Sequence, residues 1–97
     1  MTYGLHPEAA LEHEEQFAYY EERSAGLGQK YHGAMLHAVT LAVEAPHRFK
    51  VARAPDIRQV RLLGFPFTVI YRESFGVIQV LAVAHHRRHP EYWLRRV

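Results

Sequence analysis

Pro46 divides this chain into two halves whose apolar residues repeat with different periods. Before it, Tyr31, Ala34, Met35, Ala38, Leu41, Ala42 and Ala45 recur at three- and four-residue spacing, which places them on one side of an α-helix. After it, β-branched and aromatic runs follow one another with Gly, Pro and Ser between them, the pattern of short strands joined by turns. Helices first and strands second, in a chain of 97 residues, restrict the fold to a single two-layer α+β domain over residues 1–97, with helices on one face of a sheet.

The punctuation sharpens this. Thr2 to Leu5 reads as a first strand. Pro7 suits the first position of a helix because its missing N–H would be unpaired there anyway, and Glu8 favours the positive end of the helix dipole. His6 is then the N-cap. The first helix runs from Pro7 to Arg23 and stops at Ser24-Ala25-Gly26-Leu27-Gly28. Ala10, Phe17 and Tyr20, flanked by Leu11 and Ala18, form its expected apolar side, with Glu8, Glu12, Glu15 and Glu22 on a solvated face. A second helix over residues 27–45 follows so closely that the two must form an antiparallel hairpin. Residues 47–55 read as a loop. Strands are expected at 57–63, 67–72 and 77–84, with a bend at Gly64-Phe65-Pro66 and a hairpin turn at Glu73-Ser74-Phe75-Gly76. Three strands joined by short turns make an antiparallel meander. A short helix is expected after Pro90.

Charge is unevenly distributed. Up to Glu44 there are two basic residues, Arg23 and Lys30, against seven acidic ones, a net charge of −5; from Ala45 onwards ten basic residues meet three acidic ones, a net of +7. Such a molecule presents one basic surface, suited to nucleic acid or to an acidic partner protein. A small nucleic-acid-binding or scaffold module would meet that description. No cysteine is present, which excludes disulfides and thiolate-bound zinc and fits a reducing cytoplasm. The N-terminus lacks the pattern of a secretory signal, and no apolar run is long enough to cross a bilayer.

Chemistry concentrates at the end of the last strand. His85-His86-Arg87-Arg88-His89-Pro90-Glu91-Tyr92-Trp93-Leu94-Arg95-Arg96-Val97 carries three His, four Arg and the only Trp of the chain. Guanidinium groups grip phosphate with two prongs and stabilise charge that develops in phosphodiester cleavage. Arg58 and Arg61 lie three apart on a strand and, without a bulge between them, point to opposite faces; Arg72, Arg87 and Arg88 end the next two strands, so that one of each pair could converge on the sheet face that the helices leave open. Tyr92 could serve as donor or relay and His85 or His86 as a base near neutral pH. Trp93 anchors the terminal segment or joins a docking surface. His85 and His89 have the four-residue spacing of a helical metal pair, yet they sit at a strand end before Pro90, so neither metal nor cofactor is expected. No P-loop, dinucleotide turn, zincin motif or nucleophile elbow occurs.

Taken together, several stretches resemble the RelE/ParE superfamily of type II toxin–antitoxin toxins, also called plasmid stabilisation proteins. They are Pro7-Glu8-Ala9 opening the first helix, Tyr19-Tyr20, the Gly26-x-Gly28 turn, Ala45-Pro46, Arg58 followed by Phe65-Pro66-Phe67-x-Val69-x-Tyr71, and residues 80–93 with Arg96. His6 stands where the family usually has Ser. The resemblance implies a bacterial, cytoplasmic toxin with an N-terminal strand and helical hairpin on an antiparallel sheet. It implies a cognate antitoxin as partner, with operator DNA bound through that antitoxin. Two mechanisms occur in the superfamily. RelE-like members cut mRNA on the ribosome, and would use Arg58, Arg61, Arg87, Arg88, Tyr92 and His85. ParE-like members poison DNA gyrase, with Arg87, Arg88, Tyr92, Trp93, Arg95 and Arg96 contacting target or antitoxin. A protein that works among rRNA phosphates needs many cationic contacts; a net charge of +2 and an acidic hairpin favour the ParE-like reading.

Overall fold

The computed structural model describes residues 2–97. The elements are β1 (Thr2–Leu5), α1 (Pro7–Arg23), α2 (Leu27–Glu44), β2 (Val51–Arg53), β3 (Ile57–Arg61), β4 (Phe67–Ser74), β5 (Val77–His85) and a 3₁₀ turn, Leu94–Arg96. The five strands form one sheet in the order β1-β5-β4-β3-β2. β3, β4 and β5 are the expected antiparallel meander. β1 joins it parallel to β5, from Thr2 beside Val77 to Leu5 beside Val80, so the sheet as a whole is mixed.

Local chemistry explains the helix ends. The His6 ring accepts a hydrogen bond from the Glu8 N–H at 3.1 Å and Pro7 opens α1, as expected. At the other end Gly26 takes φ +88°. There Glu21 closes the connection, accepting from the N–H groups of Gly26 and Gly28 at 2.9 Å each. Gly28 lies so close to α1 that a Cβ would come within 2.8 Å of the Phe17 carbonyl.

The buried stripe of α2 is the expected one, through Tyr31, Met35, Ala38 and Ala42. That of α1 is rotated. Ala9 is its one fully buried residue, Phe17 and Tyr20 are half-buried against the core, and Leu11 is exposed. Glu12, expected in solvent, is nearly buried, with 15% of its side chain exposed. Residues 47–55 are also not all loop. Val51–Arg53 forms β2 by pairing with β3, Val51 beside Arg58 and Arg53 beside Ile57, and the Gln59 N–H reaches the Lys50 carbonyl just outside it.

A β-bulge shapes the far end of the sheet. Ile70 pairs with Ala82 but Tyr71 pairs with Val80, which leaves Leu81 as an extra residue on β5. Side-chain parity therefore switches: Ile78 and Val80 face the helices before the bulge and Val83 after it. Leu81 and Ala82 face the other side, where they form a second cluster with Ile57, Ile70 and Trp93. The sheet thus has a large core under the helical hairpin and a small one under the C-terminal segment. The helix expected after Pro90 is a set of turns ending in the 3₁₀ turn.

Candidate functional site

The C-terminal segment is fixed by one carboxylate. Glu12 on α1 accepts from Arg96 Nη1 and Nη2 at 2.9 Å each, from the Tyr92 hydroxyl at 2.6 Å and from the Val83 N–H at 3.0 Å. Arg96 Nη1 also donates to the Leu81 carbonyl at 3.0 Å. These last two contacts have a backbone reason. β1 pairs with β5 only as far as Val80, and its line then turns into α1 with the His6 N–H on the Val80 carbonyl. Beyond that point β5 has unpaired edge groups, and Glu12 and Arg96 satisfy them in place of a strand. Sequence reasoning missed Glu12; its position on a helix of many glutamates marks it as surface.

Trp93 is 1% exposed and covers Ile57, Ile70 and Leu81, with its indole N–H on the Pro90 carbonyl at 3.1 Å. Arg53 on β2 holds Glu91 at 2.8 Å. The segment is therefore pinned at Glu91, Tyr92, Trp93 and Arg96. Arg87, Arg88 and Arg95 remain exposed.

The six residues expected to form an RNase-like centre do not meet at one point. Arg58 faces the helices beside Tyr71 and donates to the Phe49 carbonyl at 2.8 Å. Arg61 pairs with Thr68 on the opposite face, as strand alternation requires. Arg88 lies over the Tyr92 ring, 3.8 Å from its centroid. Arg87 lines a groove of about 540 Å³ with Tyr19, Tyr20, Arg23 and His85, at the end of α1. The Tyr92 hydroxyl is committed to Glu12.

The three tail histidines also have separate tasks. His85 Nδ1 accepts from the Arg87 N–H at 3.0 Å, with its ring edge-on to Phe67. His86 Nε2 is 3.1 Å from Thr68 Oγ1, and His89 Nδ1 faces the Glu91 N–H at 3.5 Å. A pair of histidines lies elsewhere, between the helices. His13 is 3.1 Å from the Tyr31 hydroxyl through Nδ1 and 3.0 Å from His32 through Nε2. Burial, with His32 beside it, lowers the pKa of His13.

Burial raises the pKa of four phenols. Tyr20, Tyr31 and Tyr71 are shifted chiefly by desolvation, and Tyr92 by desolvation together with its bond to Glu12. The unfolded chain releases these protons near pH 10 while the fold retains them. Their contribution to stability is complete below about pH 10 and is lost as pH rises from there towards the folded values. Urea midpoints should be level from pH 8 to 9 and fall steeply above about pH 10; a level curve to pH 11 would show the phenols unprotected.

Among the described residues no helix is long and apolar enough to cross a membrane, and no group of three or more His, Asp or Glu is placed to hold a metal ion. Residues 3–90 match the family model described as ParE toxin of type II toxin-antitoxin system, parDE. Among solved structures, a chain of the chromosomal ParDE TA system from P. aeruginosa is similar, with a TM-score of 0.72 and 18% identity over 88% of this chain and 95% of that one. At that identity the likeness is one of fold. A search of the curated proteins finds no match.

Proposed function

The chain belongs to the ParE toxin family of type II toxin–antitoxin systems, and from that premise we propose that it arrests bacterial growth by poisoning DNA gyrase in the cytoplasm until a cognate antitoxin binds it. The observation that carries the choice of mechanism is the dispersal of the cationic set. Phosphodiester cleavage needs its acid, base and charge-stabilising groups within hydrogen-bond reach of one phosphate. Here Arg58 and Arg61 occupy opposite faces of the sheet, and the Tyr92 proton is held by Glu12. What the fold offers instead is a rigid platform with exposed cations at its rim. Arg87, Arg88 and Arg95 are the contact residues in this reading, and Tyr92, Trp93 and Arg96 hold them in place. The antitoxin covers the same rim with an acidic segment and carries the operator-binding function.

Purified chain should inhibit supercoiling by gyrase and accumulate cleaved DNA, with the antitoxin restoring activity. Arg87→Ala/Arg88→Ala, which removes two exposed guanidinium groups and the stacking of Arg88 on the Tyr92 ring, should weaken inhibition at least tenfold while leaving the melting temperature within a few degrees. Unaffected gyrase together with cuts in ribosome-bound transcripts would replace this reading with the mRNase one. Normal growth on induction, with salt-sensitive binding of nucleic acid by the chain alone, would leave a non-toxic binding module.

A further inference from the structure

We propose that His13 and His32 form a binding site for one divalent transition-metal ion of the Zn²⁺, Ni²⁺ or Cu²⁺ class, bridging α1 and α2. The site stands apart from the C-terminal rim and does not rest on the toxin mechanism. Its first support is the spacing. His13 Nε2 and His32 Nδ1 are 3.0 Å apart, with ring centroids 5.1 Å apart and planes tilted by 39°. Two imidazoles on one tetrahedral ion, each about 2.0–2.1 Å from it, hold their nitrogens about 3.3 Å apart. The pair needs to open by only a few tenths of an ångström to admit the ion.

The second support is the outer shell. A metal-bound imidazole is usually oriented by a hydrogen bond at its other nitrogen. His13 has that partner in the Tyr31 hydroxyl, 3.1 Å from Nδ1, and Tyr31 is itself fully buried. With the ion on Nε2, His13 carries its hydrogen on Nδ1 and donates to Tyr31; His32 carries its hydrogen on Nε2. The hydrogen that the two rings share leaves the gap by tautomerisation, passing from His32 Nδ1 to its Nε2. Phe17 stands edge-on to His32, 6.3 Å between centroids, and limits the ring's rotation.

The third support is access. A cavity of about 340 Å³ opens on the pair and is lined by His13, Glu14, Phe17, Gln29 and His32. Because no third ready-made ligand is present among the described residues, water from this cavity completes the coordination, with the Glu14 carboxylate supplying negative charge beside it. A donor set of two imidazoles and water selects Zn²⁺, Ni²⁺ or Cu²⁺ over Mg²⁺ and Ca²⁺. The ion would link the two helices and stabilise the hairpin by binding only the folded form.

Titration of the full-length chain with ZnCl₂, followed by calorimetry and by histidine ring resonances, tests this. One equivalent should bind, shift the His13 and His32 resonances and raise the melting temperature, whereas MgCl₂ should do none of these. His32→Gln should weaken binding at least tenfold, and Tyr31→Phe by roughly 10- to 100-fold. His86→Gln/His89→Gln should leave it unchanged, and this variant tests the assignment even if His32→Gln disturbs the hairpin. Absence of saturable Zn²⁺ binding, survival of binding in His32→Gln, or its loss in the tail variant would each overturn the site.

Discussion

Glu12→Ala should lower the stability of this protein by about 3 kcal/mol, the cost of breaking a buried ion pair from one side, and its melting temperature by more than about 10 °C. The size follows from what is stranded. Among the described residues, Arg96, 9% exposed at its side chain, would keep only Glu8 at 3.8 Å as a counterion. The Tyr92 hydroxyl and the Val83 N–H would lose their acceptor as well. The pair as a whole is worth far less than either half alone, because desolvation offsets most of its attraction. Glu12→Leu/Arg96→Met should therefore cost much less than the sum of the two single changes. Urea unfolding of the four members of that cycle reads this directly. A single-mutant loss under about 1 kcal/mol, or strict additivity, would mean that Glu12 and Arg96 behave as a surface pair.

Trp93→Ala should cost about 3 to 5 kcal/mol, as for other buried aromatic truncations. It removes the cover from Ile57, Ile70 and Leu81 on the face of the sheet that the helices do not reach. The core beneath the hairpin does not include Trp93. Truncation should thus detach the C-terminal segment while helical circular dichroism at low temperature is largely kept. Under the proposed gyrase mechanism, a loss of inhibition beyond the loss of folded protein would tie the segment to target binding. Since Trp93 is the only Trp of the chain, its emission also reports on the first prediction. Glu12→Ala should shift that emission to longer wavelength before the helices melt. An unshifted spectrum would mean that Trp93 holds the segment without Glu12.

Much of the fold was legible because residues with single meanings mark it. Pro7, the Gly26–Gly28 turn and Pro46 bound the two helices, and the observed ends of α1 coincide with those read from the sequence. The opposition of Arg58 and Arg61 followed from strand alternation alone. β2 was hidden because three residues, two of them exposed, carry no period; it exists through pairing with β3. The bulge at Leu81 was hidden for a related reason. In an all-apolar run, the parity of side chains leaves no trace. The role of Glu12 could not be read at all, since its partner lies 84 residues away and helix periodicity marks polarity without naming what meets it. Convergence of distant side chains was the common missing quantity, and it decides whether a set of Arg residues is a catalytic centre or a rim.

The place of β5 in the sheet bears on how the molecule is made. This strand is the last in the chain and lies between β1, the first, and β4. While the polypeptide is being synthesised, β1 has no neighbour and α1 lacks both the Val83 N–H and Arg96. Contacts between the two ends of a chain are the slowest to form. The domain therefore cannot assemble from its N-terminus onwards; it completes only once β5 and Arg96 have been synthesised. A chain interrupted anywhere before β5 lacks the strand that joins β1 to β4, and so has no folded fragment.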